Sequence, residues 1–244
     1  MLANFFVKSN PVNFIVVFLI FLGFYIANFF TVNFLQYVDV NVILNQLLAV
    51  VLFLFLFLFY NFILTKNKLT LNNSYGLLLF ALFFGFFPAV FFNIITILLN
   101  LLLLIFLRRV FSLRSEKDVY KKIFDCGFWL GILFILEPYS IILFTLIYIA
   151  SYLHSKITIH TLLVPIIGFI TPLIIYFSYF YWSDKLEDFT KLFHFDGIFD
   201  IQFYSETKYI WMTSCIFLLT IFATFIKSIK ALAVNNTFKK SWIL

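Results

Sequence analysis

Charged side chains are scarce in this chain, at 11% of 244 residues, where a soluble globular domain carries about 25%. That shortage excludes an ordinary water-soluble domain. Cysteine is scarcer still: Cys126 and Cys215 are the only two, too few for a disulfide framework. Both lie in or beside apolar runs and are expected as small buried hydrophobes. Catalytic signatures are missing too. No Walker A loop, HExxH, GxSxG or CxxC pattern occurs, nor a paired carboxylate motif suited to acid/base chemistry. His154 and His160 flank Lys156 with no third ligand at useful spacing, so neither a metal site nor a cofactor is expected.

What fills the chain instead is hydrocarbon. Hydrophobic residues make up 64% of it, with mean hydropathy +1.07. Apolar segments run at about 12–30, 42–64, 74–107, 121–155, 160–182 and 209–229. Runs of about 20 residues match the ~30 Å hydrocarbon core of a bilayer. The expected fold is all-α, a polytopic transmembrane helix bundle forming one domain over 1–244. The run from Val12 to Phe30 lacks a small-x-small cleavage site and reads as a retained anchor. The net charge of +6 does not point to nucleic acid. The basic residues sit in short connections between apolar segments, where orientation bias puts them, and form no groove interleaved with exposed aromatics. Membrane lipids are the expected surroundings.

Two segments, 74–107 and 121–155, are too long for one crossing and barely long enough for two. At 1.5 Å per residue a 34-residue helix reaches roughly 51 Å. Each carries a proline near its middle, Pro88 in one and Pro138 beside Glu137 in the other. Charge decides between the readings. Lys66 and Lys68 follow the second segment, and Arg108, Arg109, Arg114, Lys117, Lys121 and Lys122 follow the third. One crossing by 74–107 would put that strongest cluster outside, against the positive-inside tendency; two crossings return it to the cytoplasm. The same holds for 121–155, bounded by Lys121 and Lys156. Eight crossings result, with two short proline-broken hairpins and both termini cytoplasmic, in a bacterial inner membrane. Re-entrant hairpins and long kinked helices are the alternatives.

Between crossings, Ser115 and Asp118 resemble a helix-start box for a short interfacial helix. On the outer side, 184–207 is expected as a periplasmic amphipathic segment, with Ser183 as its cap and Leu186, Phe189, Leu192 and Phe193 on one face. Asn93 and Asn100, two turns apart, are expected to bond between helices or line a polar interior, and Asn41 and Asn45 to form a polar outward face.

Ionisable groups near hydrocarbon are costly and therefore functional suspects. Three carboxylates qualify. Glu137 is a cheap loop carboxylate if 121–155 turns there, and a buried base or cation site if that segment is one helix. Asp125 reads as a helix-start acceptor or a functional group, and Asp39 lies in the first external loop. Arg108, Arg109 and Arg114 form a candidate cytoplasmic contact for an anionic lipid or phosphate.

The sequence Asp125-Cys126-Gly127-Phe128-Trp129-Leu130-Gly131, then Glu137-Pro138-Tyr139-Ser140, then Pro165 through Pro172, resembles an uncharacterised family of multi-pass inner-membrane proteins common in flavobacteria and related Bacteroidota. The resemblance covers nearly the whole chain and implies no catalytic residues. The short, proline-broken helices are also loosely similar to polyprenyl-dependent membrane glycosyltransferases, although large periplasmic loops are missing. Taken together, the expectation is a non-catalytic subunit or assembly partner of an envelope complex, bound to one or more membrane protein partners. An enzyme acting on a polyprenyl-linked glycan and a small transporter are the alternatives.

Overall fold

The structure is a computed structural model and describes residues 5–7, 10–33, 40–70, 73–86, 93–154, 157–193 and 210–233. These residues are helical, with no strand among them. Asp39 and Pro88 lie outside the described residues. The chain divides into two compact units, Met1–Arg108 and Arg109–Leu244.

The first unit contains α1 (Pro11–Asn33), α2 (Val40–Asn67), α3 (Tyr75–Phe86) and most of α4 (Ile94–Ser112). Phenylalanine welds the first three together. Phe21 of α1 stacks on Phe53 of α2 with ring centroids 3.8 Å apart, and Phe80 and Phe84 of α3 close on the same rings. The contacts give helix direction. Phe14 meets Phe57 while Tyr25 meets Phe53, so α1 and α2 are antiparallel. Phe80 meets Tyr60 while Phe84 meets Phe53, so α3 turns back along α2. Phe21→Ala is expected to lower stability by on the order of 2 kcal/mol in detergent unfolding, less than in a soluble core, since packing is lost but not the apolar surroundings.

Two described cations of this unit meet at one end of α2. Lys66 Nζ lies 5.1 Å and Arg108 Cζ 5.5 Å from the ring centroid of Phe62 on α2, a cation–π arrangement of about 0.5–1 kcal/mol each. The 74–107 segment therefore starts and finishes at the same end of α2. At 12 residues, α3 is only about 18 Å long.

Helix α2 ends in a Schellman turn. Leu69 N–H donates to the Leu64 carbonyl at 3.1 Å and Lys68 N–H to Thr65 at 3.3 Å. The left-handed position that glycine usually takes is held by Lys68, with φ 50°, at a cost of roughly 1 kcal/mol.

The second unit is built on α5 (Val119–Leu136), a 3-10 helix (Pro138–Leu143), α6 (Phe144–Leu153), α7 (Ile159–Trp182), the short α8 (Leu186–Thr190) and α9 (Ile210–Ala233). Contacts between α5 and α7 advance together: Tyr120 with His160, Gly127 with Pro165, Gly131 with Phe169. The two helices are parallel. Along α6 the order reverses, with Phe144 at Phe169 and Tyr148 bonded to the Leu162 carbonyl at 3.3 Å. The 121–155 segment is thus a hairpin that breaks at Glu137. The C-terminal end of α7 carries Tyr179, Tyr181 and Trp182, all exposed, the amphipathic aromatics that collect at a membrane–water boundary.

Local expectations are corrected at several points. Ser115 and Asp118 form no capping box. Asp118 precedes α5 in a left-handed conformation without a side-chain cap bond. No separate interfacial helix stands there, because α5 runs unbroken from Val119 into the apolar stretch. Ser183 closes α7, donating to the Tyr179 carbonyl at 3.0 Å, rather than opening α8. Asn93 caps its own helix by accepting from Thr96 N–H at 3.2 Å, and Asn100 donates to the Thr96 carbonyl at 2.8 Å. Both satisfy themselves locally. Asn45 is exposed; the side chain of Asn41 lies outside the described residues. Of the amphipathic stretch, α8 and a 3-10 turn (Lys191–Phe193) are described, with Leu192 buried and Phe193 against Phe134. There Lys191, bonded to Asp188 at 2.6 Å, holds that carboxyl below its ordinary range.

Candidate functional site

The tightest contact in the second unit is made by side chains that are absent. A Cβ on Gly127 would stand 2.0 Å from the Pro165 carbonyl oxygen, one on Gly131 2.5 Å from the Phe169 oxygen, and one on Gly168 2.3 Å from the Phe124 oxygen. Backbone therefore meets backbone, as in the small-xxx-small pairs of membrane helices, where Cα–H groups approach carbonyls across the interface. Gly127 and Gly131 are spaced by four. Thr161, Pro165, Gly168 and Pro172 form the matching buried stripe on α7. Pro165 and Pro172 sit inside a continuous helix. Each removes one N–H, a loss that membrane helices tolerate where neighbours cover the backbone.

Cys126 is fully buried beside this contact, but Cys215 is exposed on α9. The expectation of two buried thiols holds for the first and fails for the second. The physical reason is that α9 buries no stripe among its described side chains: Ser214, Cys215 and 217–226 are all exposed.

Two of the candidate carboxylates, Asp125 and Glu137, lie among the described residues. Asp125 lies inside α5, not at its start, and pairs with Arg109 at 3.3 Å. Both side chains are more than one-third exposed, so the pair contributes at most about 1 kcal/mol. Glu137 terminates α5. Its N–H donates to the Leu133 carbonyl at 2.8 Å, and its carbonyl accepts from Ser140 N–H at 3.0 Å. It is half-buried and makes no ion pair among the described residues. The nearby Ser140 hydroxyl is buried without a hydrogen-bond partner there.

The three arginines are divided between the two units. Arg108 lies over Phe62 in the first unit, Arg109 is held by Asp125 in the second, and Arg114 is exposed. Among the described residues, no three His, Cys, Asp or Glu side chains stand together as a metal would require.

Three helices are long and apolar enough to cross a bilayer: Leu44–Asn67, Ile94–Ser112 and Ile159–Trp182. An all-helical chain with several such spans is a multi-pass membrane protein. More narrowly, it belongs to a family of unknown function (DUF6427), whose profile matches residues 1–242. No curated protein and no solved structure matches the chain.

Proposed function

We propose that this chain is a non-catalytic integral subunit of an envelope complex in a bacterial inner membrane, completed by another membrane protein seated on α9. The supporting observation is a contrast between two helices of equal length, 24 residues each. In α7 a stripe of four residues is buried and Phe169 beside it is part-buried; in α9 every described side chain is exposed. Small residues stand on the exposed helix at Thr220, Ala223 and Thr224, and small residues let a second helix approach closely. The same reading takes the chain across the membrane eight times with both termini cytoplasmic. It is supported by the return of Arg108 to the end of α2 that carries Lys66.

The test is gentle detergent extraction of tagged wild type and of Ala223→Trp. A stoichiometric membrane protein is expected with wild type and should be lost from the variant, whose own unfolding midpoint stays unchanged because the site is exposed. A wild-type chain that purifies alone and monodisperse would sink the proposal, and self-association through α9 would replace the partner with a second copy.

A further inference from the structure

We propose that the first unit holds a binding site for the phosphate headgroup of an anionic lipid, in the cavity where α1 begins, α2 ends and α3 begins. The cavity measures about 390 Å³, within the range of small-molecule sites. Its walls divide by chemistry. Phe14, Leu64 and Leu77 make an apolar side, while Asn61, Lys68 and Asn73 make a polar one. A free anion has no use for the first; a phospholipid, with glycerol and acyl carbons behind its phosphate, uses both.

The chain around the cavity is tied down by residues behind and beside its lining. Asn13 Nδ2 donates to the Phe5 carbonyl at 2.7 Å, Ser74 N–H to Phe6 at 3.0 Å, and Asn67 Nδ2 to Ile63 at 2.9 Å. All three residues are buried. The side-chain amide of Asn61 makes no hydrogen bond among the described residues, although its backbone carbonyl accepts from Thr65 at 2.9 Å. Lys68 occupies the left-handed position of the Schellman turn, where glycine would relax the backbone. The chain thus keeps a lysine at the cavity against local conformational preference.

Location completes the argument. The site lies at the end of the apolar helix α2, the same end where Lys66 and Arg108 meet over Phe62. Headgroups of a bilayer stand at this level, and a basic side chain there attracts anionic lipid.

The experiment is native mass spectrometry of the purified chain from mixed micelles of phosphatidylglycerol and phosphatidylcholine. Wild type is expected to retain phosphatidylglycerol preferentially. Lys68→Gly should lower that preference about fivefold, the equivalent of ~1 kcal/mol for one basic side chain at a lipid surface. Its unfolding midpoint should be equal or higher, which separates lost binding from lost folding. Asn61→Leu should weaken retention as well, Lys68→Arg should keep it, and Lys185→Gln should leave it unchanged. Equal retention by wild type and Lys68→Gly would overturn the site, as would loss in Lys185→Gln alone. Displacement of the lipid by inorganic phosphate would overturn the lipid assignment in favour of a free anion.

Discussion

Gly127→Ala is expected to destabilise the protein by about 3 kcal/mol or more, the upper end of overpacking costs. The added methyl would arrive 2.0 Å from a backbone oxygen, and the next obstacles, the Pro165 carbonyl carbon and the Phe169 nitrogen, are also backbone. No rotamer change relieves such a clash. The helices must separate, and every close contact along Gly127, Gly131 and Gly168 loosens with them. Other glycines supply the controls. Around Gly23 nothing lies within 4 Å, and around Gly76 the nearest atoms are the side-chain ends of Leu64 and Thr70 at 3.1 Å. Gly23→Ala should be neutral or stabilising by up to ~1 kcal/mol through helix propensity, and Gly76→Ala should cost little. Denaturant unfolding in detergent, followed by tryptophan fluorescence, measures all three. A Gly127→Ala protein within about 0.5 kcal/mol of wild type, the ordinary spread of harmless substitutions, would refute the backbone contact.

The second large effect concerns accessibility. In a background carrying Cys126→Ala and Cys215→Ala, single cysteines at Glu137 and Lys185 should label alike with an impermeant maleimide. Cysteines at Lys117 and His154 should form the opposite class, reactive only after the cytoplasmic membrane is opened. The physical basis is the hairpin. Helix α5 and the parallel α7 finish at the Glu137 end, while α6 returns antiparallel along α7. Were 121–155 one helix, Lys117 and His154 would stand on opposite faces. Labelling that splits those two positions would reject the hairpin. Positions Lys68 and Arg108 in the first unit should also share a class.

The returns at 74–107 and 121–155 could be read from the sequence because they rest on a coarse and costly quantity, the placement of charge relative to hydrocarbon. Lys66 and Arg108 reach the same end of α2 for that reason. Local chemistry was less readable. Asn93 and Asn100 carry side chains long enough to bond their own helix backbone, and that nearer solution replaces the expected interhelical one. Asp125 looked like a helix start because the apolar run begins beside it, but the helix begins at Val119 and continues through a charged first turn. The glycine contact was half visible. The four-residue spacing of Gly127 and Gly131 is plain in the sequence, whereas its partner stripe on α7 mixes threonine, proline and glycine at uneven spacing. Only packing reveals that Pro165, Gly168 and Pro172 share one face. Of the proposed carboxylate chemistry, Asp39 lies outside the described residues, while Asp125 stands within α5 and Glu137 caps its C-terminus.

The parallel pairing of α5 with α7 also imposes an order on biosynthesis. Gly127 and Pro165 are separated by 38 positions, which at about 5–20 residues per second corresponds to roughly 2–8 s of translation. Throughout that interval the glycine ridge of α5 lacks its partner stripe on α7. Whatever inserts this chain must therefore tolerate an unfinished hairpin, and a pause between Leu136 and Pro172 would prolong the stage at which the ridge is open to the wrong helix.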